Sequence, residues 1–218
     1  MRSILPLLIL PLMGAIPAGS AAESTAQDAF RVALPAAPFP DTLLPSSPFG
    51  INTAFHPDTS DLDARLKAMQ QAGIKWGRQD FSWKHIEKKK REYDWAGYDR
   101  LVDQCHRRGL LIFGDFTSHP DFYDMTTPEG VEGYCAFARA AVQRYAGKVD
   151  HWQIWNEPNL GYLGGKPEQY ARLLAASGKA IHDANPQAKV LGLNMAFCDA
   201  LWAEKVLQLV PYDCFDIA

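Results

Sequence analysis

Apolar runs of strand length alternate with segments of helical periodicity along most of this chain, and glycines mark the junctions. Phe49-Gly50-Ile51-Asn52 opens the first strand. Ser60 is placed to cap a helix in which Leu62, Leu66, Met69 and Gln70 follow helical spacing, with Gly73 as its stop. Ile74 to Gln79 reads as the second strand. Trp95, Tyr98, Leu101, Val102 and Cys105 mark a helix stopped by Gly109, and Leu110 to Phe116 is the third strand. Thr127-Pro128 starts a helix that runs to about Tyr145, with Thr as N-cap and Pro in the first turn. Val149 to Asn156 is the fourth strand. A helix from Pro167 ends before Asn185-Pro186, and Lys189 to Asn194 is the fifth strand. A last helix covers Leu201 to Val210, and Cys214 to Ala218 reads as the start of a sixth strand.

Strict alternation of this kind calls for an α/β fold with a parallel sheet and right-handed crossovers. The first strand-to-helix loop, His56-Pro57-Asp58-Thr59-Ser60, lacks the glycine pattern of a dinucleotide fold. Polar and aromatic residues gather instead after several different strands, as the upper face of a (β/α)8 barrel requires. A full barrel takes about 250 residues, so residues 49–218 are expected to supply the N-terminal part of one, truncated after about strand six. Residues 1–22 have the three-part layout of a secretory signal: Arg2, an apolar stretch from Ile4 to Ile16, and the small residues Ala18 to Ala22. Residues 23–48 form a Pro- and Ala-rich leader. A secreted or periplasmic location is expected, with no membrane span in the mature chain.

Charge and cysteine usage narrow the partners. With 22 basic and 25 acidic residues the formal net charge is −3, which gives no support to nucleic-acid binding. Cys105 and Cys135 fall in register with apolar helix positions and read as small buried hydrophobes, and the four cysteines are too sparse for a disulfide scaffold. HExxH, HxH after strand one, clustered zinc ligands, a P-loop and GxSxG are all absent from the sequence, so no cofactor or metal is expected.

The sharpest local feature is Trp152-Gln153-Ile154-Trp155-Asn156-Glu157-Pro158. A strand ends in Asn-Glu, and Pro158 prevents further ladder donation. A carboxyl group is thereby delivered to the carboxyl end of a parallel strand, where barrel active sites lie. The flanking tryptophans can exclude water from it, as a general acid needs, and the Asn amide can bind a substrate hydroxyl. The same residues also fit an ordinary strand end with a solvated Glu.

This stretch resembles the strand-four signature of the retaining glycoside hydrolases with (β/α)8 barrels, most nearly glycoside hydrolase family 39 and next family 5. The resemblance extends through Gly77-Arg78-Gln79-Asp80-Phe81-Ser82-Trp83, Ile86-Glu87, Tyr93-Asp94-Trp95 and Phe137-Ala138-Arg139, and covers roughly residues 48–218. It implies that Glu157 is the general acid/base and that Asn156 binds the hydroxyl next to the reacting carbon. It further implies that Arg78 holds the nucleophilic carboxylate, a role suited to a two-donor guanidinium. The family's nucleophile, a Glu on strand seven, has no counterpart in these residues.

His56 after strand one and His119 after strand three are further candidates for binding sugar hydroxyls, and Trp83 and Tyr162 for stacking on sugar faces. Each has an ordinary reading as a solvated histidine or a packing aromatic. Lys88-Lys89-Lys90-Arg91 departs from the family's short turn and reads as a solvated loop. The expected function is cleavage of β-linked O-glycosidic bonds in an oligo- or polysaccharide by double displacement. The alternatives are a glycan-binding barrel without turnover and an inactive truncated product.

Overall fold

The computed structural model describes residues 47–218, apart from 54, 57, 58 and 162–164. The proposed signal peptide, all but the last two leader positions, and Tyr162 lie outside the described residues. The strands are β1 (Gly50–Asn52), β2 (Trp76–Ser82), β3 (Leu111–Thr117), β4 (His151–Ile154) and β5 (Lys189–Leu191). They form a single parallel sheet in consecutive order. A doubly wound sheet breaks that order at its switch point, whereas a barrel keeps it.

The connecting helices are α1 (Leu62–Gln71), α2 (Ala96–Arg107), α3 (Pro128–Arg144), α4 (Pro167–Ala184) and α5 (Ala200–Leu207). Their termini follow local chemistry. The Thr127 hydroxyl accepts a hydrogen bond from the Gly130 amide at the start of α3. Gly73, Gly109 and Gly147, which follow α1, α2 and α3, all adopt positive φ, where a Cβ would be strained. Ser60 is not the cap of α1: Asp61 occupies that position and makes no capping bond through its side chain. The expected sixth strand is reduced to one parallel bridge between Leu191 and Ile217.

Residues alternate between the two faces of the sheet, as strand geometry dictates. One face carries Phe81, Ile112, Phe116, Trp152, Ile154 and Val190, all buried against the helices. Trp152 stacks on Phe116 with ring centroids 4.7 Å apart and meets Phe81 edge-on at 5.1 Å. Gly114 makes room for this indole: a Cβ there would stand 2.5 Å from the Trp152 ring. Cys105 and Cys135 are buried on α2 and α3, and all four cysteines are free thiols.

Between β2 and α2 the chain departs from the sequence reading. A single helical turn (Trp83–Ile86) leads into a hairpin of Glu87–Lys89 and Glu92–Tyr93, turned at Arg91 with φ 66°. The basic run is thus a hairpin tip rather than an open loop. Lys90 pairs with Glu129 at 2.6 Å and Arg91 lies 3.8 Å from Glu132, both acids belonging to α3. Beneath it Glu87 is fully buried, accepting hydrogen bonds from the Trp83 indole, the Tyr123 hydroxyl and the Arg91 amide.

Candidate active site

The other face of the sheet carries the polar residues. Asp80, Asp115 and Gln153 stand in register across β2, β3 and β4, and Arg78 lies two residues below Asp80. The Arg78 guanidinium ties this layer together. Nη2 donates to Asp115 Oδ2 and, at 2.8 Å, to Asn156 Oδ1; Nε donates to Gln153 Oε1 at 3.0 Å; and Nη1 lies 3.5 Å from Asp80. Burial pushes the Asp115 carboxyl up to about 7, against the pull of Arg78 and with a further push from the Asp80 charge. Arg78, Asn156 and Glu157 converge at the carboxyl end of the strands. With Asn52, Asp80 and Thr117 they line a cleft of about 330 Å³.

The turn that carries Glu157 is held from several sides. Trp155 and Glu157 have φ of 64° and 46°, values that side-chain-bearing residues adopt at a cost of about 1–3 kcal/mol each. Such a backbone persists only where neighbours over-determine it. The Tyr134 hydroxyl of α3 accepts from the Trp155 amide at 3.2 Å, and Gln153 donates to the Trp155 carbonyl at 2.8 Å. The Tyr170 hydroxyl of α4 donates to the Ile154 carbonyl at 3.1 Å, and the Glu157 amide donates to the Asn194 carbonyl at 3.0 Å. Asn159 adds two reciprocal bonds to Ala196, at 2.9 and 3.0 Å. The loops after β4 and β5 are therefore one hydrogen-bonded unit, and Glu157 projects from it, exposed.

The remaining candidates divide. Trp83 is not a sugar platform: it is fully buried, stacked on Tyr123 at 4.8 Å and on Phe137 at 5.7 Å. Its position after β2 is right for the barrel mouth, but the helical turn that begins there rotates the ring into the core. Trp152 does not shield Glu157 either, since it faces the helices. His119 is half-buried and stacks on Trp155 at 5.8 Å, which places it behind the cleft; burial lowers its pKa. His56 is exposed, with its ring edge-on to His85 at 5.8 Å. Neither histidine lines the cleft around Arg78. Asp115 and Gln153 are site residues that pattern reading underweights. The available signal was a lone acid inside the apolar run Leu110–Phe116, which has to find a cation when buried.

Comparisons with known proteins agree with this architecture. Residues 54–115 match the family model of glycoside hydrolase family 42, described as beta-galactosidase. Beta-glucosidase 3 of Oryza sativa subsp. japonica is 24% identical over 117 residues, 46% of this chain and 22% of that protein. A family 39 glycoside hydrolase from the gut symbiont Bacteroides cellulosilyticus superposes with TM-score 0.58 at 23% identity, over 67% of this chain and 31% of that one. The family 39 enzyme from Xanthomonas axonopodis pv. citri gives 0.61 at 21% identity, over 83% and 40%. A monomeric beta-xylosidase from Caulobacter crescentus gives 0.58 at 21%, over 78% and 39%. The fold is part of a (β/α)8 barrel, and the likeness to retaining glycoside hydrolases, family 39 among them, holds at the level of that fold. The chain spans about a fifth of the rice protein's length and less than half of each solved chain.

Proposed function

We propose that these residues belong to an exported retaining O-glycoside hydrolase acting on a β-linked saccharide. The observation that carries the reading is the hydrogen bond from Arg78 to Asn156 beside Glu157, at the carboxyl end of the strands. Glu157 protonates the departing glycosidic oxygen as a carboxylate nucleophile bonds to the anomeric carbon. It then takes a proton from the water that releases the sugar. Because Asn156 Oδ1 accepts from Arg78, its amide hydrogens are left to donate to a sugar hydroxyl oxygen in the cleft. No metal or cofactor enters these steps. The nucleophile is assigned to a strand-seven Glu, in the portion of the barrel beyond these 218 residues, and export rests on the layout of residues 1–22.

The test is Glu157→Gln in the protein carrying the closed barrel. Loss of a general acid costs about 10²–10⁴-fold. The loss is expected to be largest on substrates with poor leaving groups and smaller on activated aryl glycosides, with azide restoring turnover. Equal activity of variant and wild type on a natural glycan refutes the assignment. Saccharide binding without turnover in the wild type makes the barrel a binding module.

A further inference from the structure

Asp115 is fully buried, sits on the middle strand β3, and lies beneath the cleft rather than in its lining. One of its oxygens accepts from Arg78 Nη2; the other is buried and has no hydrogen-bond partner among the described residues. Nη2 is also the nitrogen that reaches Asn156. A guanidinium is planar, so fixing Nη2 and Nε fixes the direction of every remaining N–H. Gln153 fixes Nε and Asp115 fixes Nη2.

We propose that Asp115 is a positioning residue. Through Arg78 it sets which way the Asn156 amide faces, and so whether Asn156 offers hydrogens to the hydroxyl next to the reacting carbon. Without the carboxylate, Arg78 keeps Gln153 at 3.0 Å and the half-exposed Asp80 at 3.5 Å. The guanidinium then turns toward Asp80, and Nη2 leaves Asn156 Oδ1. The amide becomes free to rotate and present its oxygen to the cleft, where it no longer donates. Burial pushes the Asp115 carboxyl up and the Arg78 guanidinium bonded to it opposes that push, so a change at Asp115 acts through Arg78.

The inference rests on the hydrolase reading, and its test pairs substrates rather than variants alone. Activity is measured on matched aryl glycosides with and without the hydroxyl next to the reacting carbon. Asp115→Asn keeps an acceptor oxygen but removes the charge that holds Arg78 against Asp80, and is expected to lower kcat/KM on the hydroxylated substrate by about 10-fold, with little change on the deoxy substrate. Asn156→Ala should show the same discrimination. A purely structural Asp115 would depress both substrates alike, and that result, or no loss on either, overturns the inference while leaving the hydrolase reading intact. If Asp115→Asn does not fold, Asp115→Glu carries the same pair of measurements, with a smaller loss confined to the hydroxylated substrate. A wild type inert on every glycoside refutes the hydrolase reading and this inference together.

Discussion

The two faces of the parallel sheet differ in how far they are finished. The helix-facing side is closed: Phe81, Phe116, Trp152 and Ile154 are fully buried, and their aromatic rings meet one another and Tyr145 of the loop after α3. The opposite side holds Arg78, Asp80, Asp115 and Gln153 in a layer of charges and amides, and the cleft opens above it. Apolar burial contributes about 1.5–3 kcal/mol per large side chain, without partners of fixed direction. A buried ion pair contributes far less net stability, because desolvation offsets the attraction. One face therefore holds the fold and the other spends stability on orientation.

The largest expected effect breaks the first face. Trp152→Ala removes an indole that touches strands β2 and β3 and Tyr145, and large aromatic deletions of this kind cost about 3–5 kcal/mol. An unfolding free energy lowered by less than about 1 kcal/mol would mean that the aromatic stack does not anchor the sheet. The second face should answer in the opposite direction. Replacing Arg78 and Asp115 together by Met and Leu removes both charges and keeps apolar volume, so stability should hold or rise by about 1–4 kcal/mol while the cleft loses function. A double variant as destabilised as Trp152→Ala would show that the polar layer holds the fold as well.

The same division decided what could be read from sequence. The helix-facing core was legible because it repeats: apolar residues at strand and helix spacing, with Gly73, Gly109 and Gly147 at the stops. Asn156 and Glu157 were legible because two polar residues and a proline follow an apolar run, although the strand ends at Ile154, two residues sooner than that pattern suggests, in the turn at Trp155. Trp83 was not, because its burial depends on Tyr123 and Phe137, 40 and more positions away, and on a helical turn that aims the ring inward. The hairpin after it was hidden for a related reason. Its anchor is the acidic Glu87, whose burial follows only once Trp83, Tyr123 and Arg91 surround it. The link from Asp115 to Asn156 runs through register, which places residues 80, 115 and 153 side by side and cannot be counted along one strand.

The smallest effect compares two aspartates that the fold treats oppositely. Asp216 lies beside β5 in a largely exposed segment, where partial burial would raise its carboxyl. The Val190 amide at 2.8 Å, the Lys189 ammonium at 3.0 Å and His182 Nε2 at 2.9 Å outweigh that push and hold it at about 2. A carboxyl whose folded value lies below its unfolded one adds stability above the unfolded value, and that stability is lost as pH falls toward 2. Asp115 has the opposite slope: its contribution is present below about pH 4 and lost as pH rises through 7. Asp216→Asn is therefore expected to cost about 1–2 kcal/mol at neutral pH, because the amide oxygen still accepts from Val190 but the charge that Lys189 meets is gone. At pH 2 the wild-type carboxyl is half neutral and the difference should shrink toward zero. Urea titrations of both proteins at pH 7, 4 and 2 measure it. An equal loss at all three would mean that Asp216 acts through shape and hydrogen-bond geometry alone, with its charge contributing nothing to the segment it ties to β5.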